Sequence, residues 1–186
     1  GKTYSYDLAG HVLTTLDPVS QDRGLAFSAK YTYDALGRKT RAIDADGNSI
    51  YYTYTDAGKI DNTVWVATDG STSQLIEAYF YDLLGHVTTH TDANGHITLY
   101  EYNALGKVSR IMVLDETGET VLITYYQYDN AGRVSRMWTS AGLLETYSYD
   151  SLGRTLSKTQ SATDGSQAIS LLYSYDRNGN LRFSTD

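Results

Sequence analysis

Apolar and polar residues alternate along this chain with a period of two, and no stretch holds the 3.6-residue period of a helix. The alternation is clearest around pairs of tyrosines spaced two residues apart, which places both rings on one side of a strand. The residue between them is Ser5, Thr32, Thr53, Phe80, Glu101, Gln127, Ser148 or Ser174, polar in seven of eight cases, so the other side is expected to be wet there. Each pair is followed at a fixed distance by a glycine. The second residue beyond that glycine is Val12, Ile60, Val87, Val108, Val134 or Leu181 in six copies. This is the pattern of an antiparallel sheet with one greasier face. The expected fold class is all-β, with almost no helix.

Aligned on the glycine, the motif reads Tyr-x-Tyr-Asp-x-x-Gly and recurs eight times. The copies are Tyr4, Tyr6, Asp7 and Gly10; Tyr31, Tyr33, Asp34 and Gly37; Tyr52, Tyr54, Thr55 and Gly58; and Tyr79, Tyr81, Asp82 and Gly85. They continue as Tyr100, Tyr102, Asn103 and Gly106; Tyr126, Tyr128, Asp129 and Gly132; Tyr147, Tyr149, Asp150 and Gly153; and Tyr173, Tyr175, Asp176 and Gly179. Only Thr55 and Asn103 depart from aspartate. The glycine spacings are 27, 21, 27, 21, 26, 21 and 26, so the larger unit is a pair of unequal hairpins. The expected domain organisation is one array over residues 1–186, with eight hairpins in four unequal pairs. Both ends fall close to a motif, and the array is read as a piece of a longer protein.

Aspartate first and glycine fourth is the signature of a type I turn. The carboxylate can accept backbone N–H groups of the turn, and glycine can take φ > 0 and close it with a bulge. Asn103 can do the same job, and Thr55 can do it more weakly. A second glycine lies between successive motifs: Gly24, Gly47, Gly70, Gly95, Gly118, Gly142 and Gly165. Fifteen turns then join sixteen strands. The step from motif glycine to the next glycine is 10 residues in short units and 12 in most long ones. Every other hairpin should therefore protrude by roughly 7 Å. The first long unit is irregular, reaching Gly24 in 14 residues past Asp17-Pro18. Sixteen strands would make a flat ribbon about 77 Å wide. Open twisted sheets rarely exceed ~10 strands without curling, so a single-layer sheet that bends into a spiral or partial barrel is expected.

Composition narrows the function. The formal charge is -7, from 15 basic and 22 acidic residues, which disfavours a nucleic-acid groove. Cysteine is absent, so neither disulfides nor thiol redox chemistry is available. No run of ~18 apolar residues marks a membrane helix. An outer-membrane barrel needs a lipid-facing band of Leu, Val and Phe, whereas Tyr, Thr and Ser dominate here. Serine-nucleophile, P-loop, dinucleotide and zinc motifs are also absent, so neither catalysis nor a cofactor is expected.

Several residue sets invite a chemical reading. Asp7, Asp34, Asp82, Asp129, Asp150 and Asp176 could be catalytic carboxylates, but identical tandem positions fit turn capping better. The tyrosine ladder could stack on sugars, making a carbohydrate-binding adhesive module the alternative function. Cross-strand aromatic packing is the structural alternative. His86, His90 and His96 cluster in one unit. His86 and His90 are four apart on one strand, although two-residue spacing would suit a strand metal site better. The basic residues after glycine, such as Arg38, Lys59, Arg133 and Arg154, could face a partner, pair with turn carboxylates or face water. Open first and last strands should favour self-association.

Tyr-Asp hairpins ending in Gly-Arg resemble the Rhs or YD repeats, and the resemblance covers essentially the whole chain. Such repeats occur in bacterial Rhs polymorphic toxins, in encapsulating components of insecticidal toxin complexes and in animal teneurins. The resemblance implies a hollow β-shell. In the bacterial members the shell encloses a C-terminal toxin, and the protein is secreted or displayed at the cell surface. The partners it implies are further repeats and a toxin or other cargo in the same parent chain. The self-cleaving segment and toxin that end bacterial shells do not follow Gly179, and eight hairpins are too few to close a cocoon.

Overall fold

The computed structural model describes residues 1–185. The chain is all-β apart from one five-residue helix, and its sixteen strands follow one another in chain order as antiparallel hairpins. It divides into two compact units. The first, Gly1–Gly95, holds β1 (Thr3–Tyr6), β2 (Val12–Leu16), α1 (Pro18–Asp22), β3 (Ala29–Tyr33), β4 (Lys39–Asp44), β5 (Ser49–Tyr54), β6 (Ile60–Val66), β7 (Ser73–Tyr81) and β8 (Val87–Asp92). The second, from His96 onward, holds β9 (Ile97–Tyr102), β10 (Val108–Leu114), β11 (Thr120–Tyr128), β12 (Val134–Thr139), β13 (Leu143–Tyr149), β14 (Thr155–Ala162), β15 (Ile169–Tyr175) and β16 (Leu181–Thr185).

Each motif closes one hairpin by the same backbone bonds. At the second motif, Asp34 N–H donates to the Arg38 carbonyl at 2.9 Å and Gly37 N–H donates to the Asp34 carbonyl at 3.0 Å. Gly37 has φ of +76°, which an L side chain adopts only with strain. Those two backbone bonds place the glycine in a bulge beside a type I turn, and the register slips once more at Thr40, between the pairs Tyr33–Lys39 and Thr32–Arg41. The Asp34 carboxylate completes the turn by accepting Leu36 N–H and Arg38 N–H, both at 2.9 Å. Asn103 reproduces these two bonds at 2.9 and 3.1 Å. Thr55 makes one of them, to Lys59 N–H at 3.2 Å.

The opposite rim uses the same chemistry. Asp44 accepts from Asp46 and Asn48 N–H groups, and Asp115 accepts from Thr117 and Glu119. Strands flanking the longer connections are longer: β6 and β7 have 7 and 9 residues, while β4 and β5 have 6 each. The first connection departs from the hairpin that Gly24 suggests. Asp17 caps α1 by accepting Ser20 N–H at 2.8 Å, and Pro18 occupies the first turn, where its missing N–H costs nothing. Gly24 ends that helix at φ +71° instead of closing a strand pair. The Asp17-Pro18 dipeptide is thus a helix start, a signal that a two-residue period hides.

Neither unit has a conventional core. Ala78 is the one apolar residue counted as buried among the described residues, and no large side chain is fully buried. The face carrying the residue between the tyrosines is exposed in all eight copies. From Tyr31 onward the motif tyrosines are half-buried. Cohesion must then come from what those tyrosines touch, because little apolar area leaves water.

Candidate functional site: the joint between hairpins

The second tyrosine of a motif ends the first strand of its hairpin, just before the turn. Its ring lies against the preceding hairpin. Its hydroxyl donates to the carbonyl of the residue two beyond that hairpin's turn glycine. Tyr33 donates to Val12, Tyr54 to Lys39 and Tyr81 to Ile60, at 2.8, 2.7 and 2.7 Å. In the second unit Tyr128 donates to Val108, Tyr149 to Val134 and Tyr175 to Thr155, at 2.6, 2.7 and 2.8 Å. Burial pushes the phenols of Tyr33, Tyr81, Tyr128 and Tyr149 above the usual tyrosine range.

The residue just after the preceding glycine covers each ring. Arg38 lies 4.6 Å over Tyr54, Lys59 lies 5.0 Å over Tyr81 and Lys107 lies 5.5 Å over Tyr128. Arg133 and Arg154 lie 4.5 Å over Tyr149 and Tyr175, and His11 stacks on Tyr33 at 4.8 Å. The turn aspartate holds several of these side chains in place. Arg38 Nε donates to Asp34 at 2.7 Å, Arg133 Nε to Asp129 at 2.7 Å and Arg154 Nε to Asp150 at 2.6 Å. His11 and His86 pair with Asp7 and Asp82 at 2.8 and 2.9 Å, and Asn180 takes the same place on Asp176. Asp7, Asp34, Asp129 and Asp150 therefore each organise their own turn with one oxygen and position a side chain against the next hairpin with the other. One such joint combines a hydrogen bond of about 1 kcal/mol with a cation–π contact of about 0.5–1 kcal/mol.

These bonds keep the turn carboxylates ionised. Hydrogen bonds from His11, His86, Arg133 and Asn180 side chains hold Asp7, Asp82, Asp129 and Asp176 below the usual range. The Arg38 backbone N–H does this for Asp34. At Asp150 burial would raise the value, but the Arg154 backbone and guanidinium bonds outweigh it. A carboxylate depressed in the folded state adds stability above its unfolded pKa and loses it as pH falls through the folded one. The urea midpoint should therefore drop below about pH 4. The raised phenols act at the other end: their contribution is complete below about pH 10 and fades as pH rises further. A midpoint that is flat from pH 5 to pH 2.5 would contradict the carboxylate part.

The first tyrosine of a motif has a more varied role. Tyr79 donates to Glu77 at 2.8 Å and stacks on His90 at 4.7 Å. Tyr147 donates to Glu145, which is buried and pairs with Lys158 at 2.7 Å. On the other face Tyr125 and Trp138 stack at 5.1 Å, with Arg110 over Tyr125 and Arg136 over Trp138. Cross-strand aromatic packing, the expected structural role, occurs as Tyr79 on His90 and Tyr125 on Trp138, and contacts to cations and carboxylates accompany it. Tyr4 with Tyr6 and Tyr79 with Tyr81 touch only along one strand, at 6.4 and 6.3 Å.

The histidines are separated by their partners. His86 precedes β8 and belongs to the Asp82 turn, so it does not share a strand with His90. His96 faces Glu116 at 3.6 Å. Among the described residues, no group of three or more His, Cys, Asp or Glu side chains is placed to hold a metal ion. Among the described residues, no helix is long and apolar enough to cross a membrane.

The joint also gives the motif glycine a second duty. A Cβ on Gly37 would lie 2.7 Å from His11 Nε2, and one on Gly85 would lie 2.7 Å from Lys59 Nζ. The side chain from one hairpin thus runs under the turn of the next. Sequence reasoning missed this joint. The basic residue after glycine and the second tyrosine recur in step, but nothing in a single repeat says that they meet across two.

Repeated hairpins with this turn and this joint make the chain a tandem β-hairpin repeat array. Residues 81–120 match the family model described as RHS Repeat. Among solved structures, the chain is similar to the Photorhabdus luminescens Tc holotoxin pore with a TccC3 mutation, at 22% identity and a TM-score of 0.77, covering 98% of this chain and 11% of that one. It is similar to the TcdB2-TccC3-Cdc42 crystal structure at 22% identity and a TM-score of 0.75, covering 97% and 11%. The TcdB2-TccC3 crystal structure gives the same identity, TM-score and coverage. The chain spans about a tenth of the length of the chains it matches. A search of curated protein sequences gives no match.

Proposed function

We propose that this array is a non-catalytic wall segment of an encapsulating β-shell, enclosing a toxin or other cargo in a secreted bacterial protein of the Rhs type. The carrying observation is the recurrence of one joint at six hairpin boundaries, which occupies the very side chains that could otherwise do chemistry. The turn aspartates hold backbone N–H groups and cations, and the second tyrosines hold carbonyls. A wall needs such uniform seams, whereas an active site needs one exception. The shared fold with Tc toxin assemblies supports the reading. The covered rings of the second tyrosines favour it over a sugar-stacking surface.

The test uses the full-length protein that carries the array. Its cargo segment should resist protease in the intact protein and become cleavable when Tyr128 and Tyr149 are both replaced by alanine. A cargo segment as protease-sensitive in the intact wild-type protein as when produced alone would refute enclosure.

A further inference from the structure

Two neighbouring hairpins of the first unit depart from the repeat at the same place. Among the eight residues that stand between paired tyrosines, Phe80 alone is large and apolar. Its turn, Asp82-Leu83-Leu84-Gly85, is the one motif turn of eight with two leucines. The turn does not require them, since Ala35, Asp56, Asn130, Ser151 and Arg177 occupy the Leu83 position in other copies. Phe80, Leu83 and Leu84 are 62%, 106% and 83% exposed. Exposed apolar residues scattered singly need no explanation, but a cluster of them marks an interaction site. The preceding turn departs as well. Thr55 replaces the usual aspartate, and the acid moves to the exposed tip as Asp56. Thr55 accepts Lys59 N–H but gives the ammonium no carboxylate, so Lys59 lies over Tyr81 and donates to the Gly85 carbonyl. Asp61 accepts from the Asn62 side-chain amide at 2.9 Å. Among the described residues, neither Asp56 nor Asp61 has a cationic partner.

These departures meet in one groove of about 540 Å³ between the third and fourth motif turns, lined by Asp56, Ala57, Asp61, Phe80, Leu83 and Leu84. The second unit has a groove at the corresponding place, between its own first two motif turns. There Ser109 stands for Asp61, Gln127 for Phe80 and Asn130 for Leu83. The groove therefore belongs to the repeat, while the apolar and acidic lining belongs to this copy. We propose that it docks a peptide segment of another protein that presents a bulky apolar side chain next to a lysine or arginine. Phe80 and the two leucines cover the apolar side chain, and Asp56 and Asp61 receive the cation. Leu83 projects fully into water, which suits a partner that folds around it rather than a small molecule enclosed by a pocket. The two carboxylates and the net charge of -7 disfavour an anionic membrane. The assignment is independent of what the wall encloses.

The test is selection of random linear peptides displayed on phage against the 186-residue chain, followed by binding of the enriched peptides as synthetic probes. They should carry Phe, Leu, Ile or Trp beside Lys or Arg. Phe80→Ser should weaken binding about tenfold, as loss of a central aromatic anchor does. Asp56→Asn with Asp61→Asn should weaken it about threefold to fivefold, with a larger effect at low salt. Leu152→Ser, at an exposed turn tip of the second unit, should change nothing. Serine already stands at the Phe80 position as Ser5, Ser148 and Ser174, so Phe80→Ser should leave the urea midpoint unchanged. Five results would each overturn the proposal. They are no enrichment, enriched peptides that are acidic or uncharged, equal binding to wild type and Phe80→Ser, a midpoint lowered by Phe80→Ser, and peptides that bind the array but not the full-length protein carrying it. The last would make the occupant a segment of the parent chain.

Discussion

Tyr149→Ala should destabilise the second unit by about 2–4 kcal/mol, somewhat less than a fully buried aromatic because the ring is half-exposed. Three losses combine. The Val134 carbonyl loses its hydroxyl donor, the Arg133 guanidinium loses the ring beneath it, and a gap opens between two hairpins. Tyr149→Phe keeps the ring and the cation contact, so its cost should be about 1 kcal/mol. Urea denaturation with a tryptophan signal checks both, since Trp138 lies in the same unit. In an array whose stability is mostly nearest-neighbour coupling, the damage should concentrate at the broken seam. Hydrogen exchange should speed up in β12 to β14 and stay near wild type in β3 to β6. Uniform acceleration across both units would mean that the seams do not act separately.

Gly47→Ala should cost a similar amount, about 2–4 kcal/mol, for a different reason. Gly47 sits at φ +89°, which costs an L residue about 1–2 kcal/mol. An added Cβ would also lie 2.0 Å from Thr68 Oγ1. That hydroxyl donates to the Asp46 carbonyl at 2.9 Å, so it cannot turn away without losing a bond. Gly10→Ala separates the two costs, because Gly10 has φ of +88° and open space where its Cβ would go. It should lose only the conformational part. Adding Thr68→Ala to Gly47→Ala should recover the steric part. If Gly47→Ala and Gly10→Ala cost the same, the collision with Thr68 does not shape this turn.

Much of the fold was legible because its rules are local. Asp34 and Gly37 lie three residues apart within one turn, and their chemistry depends on nothing outside it. The exposure of Ser5, Thr32 and their counterparts follows from strand alternation alone. The irregular step to Gly24 was visible as an irregularity, yet its helix was not, since five residues give too short a window for a 3.6-residue period. The joint was illegible for a different reason. Tyr54 and the Lys39 carbonyl are 15 residues apart, and Tyr33 and the Val12 carbonyl are 21 apart. The acceptor is backbone, so no residue type betrays it. Cross-strand aromatic packing, the role expected for the tyrosines, says nothing of the second tyrosines' hydroxyls and ring faces, which point to the neighbouring hairpin. The histidine cluster misled similarly: Asp82 captures His86 within its own turn, which spacing along a strand does not reveal.

A cation anchored in one turn and a tyrosine of the next hairpin hold the array together as a pair. A double-mutant cycle on Arg133→Met and Tyr149→Leu tests it directly, with Arg133→Met and Tyr175→Leu as a pair that makes no joint. A coupling of about 0.5–1.5 kcal/mol is expected for the first pair, and additivity within about 0.3–0.5 kcal/mol for the second. Additive losses in both cycles would contradict it.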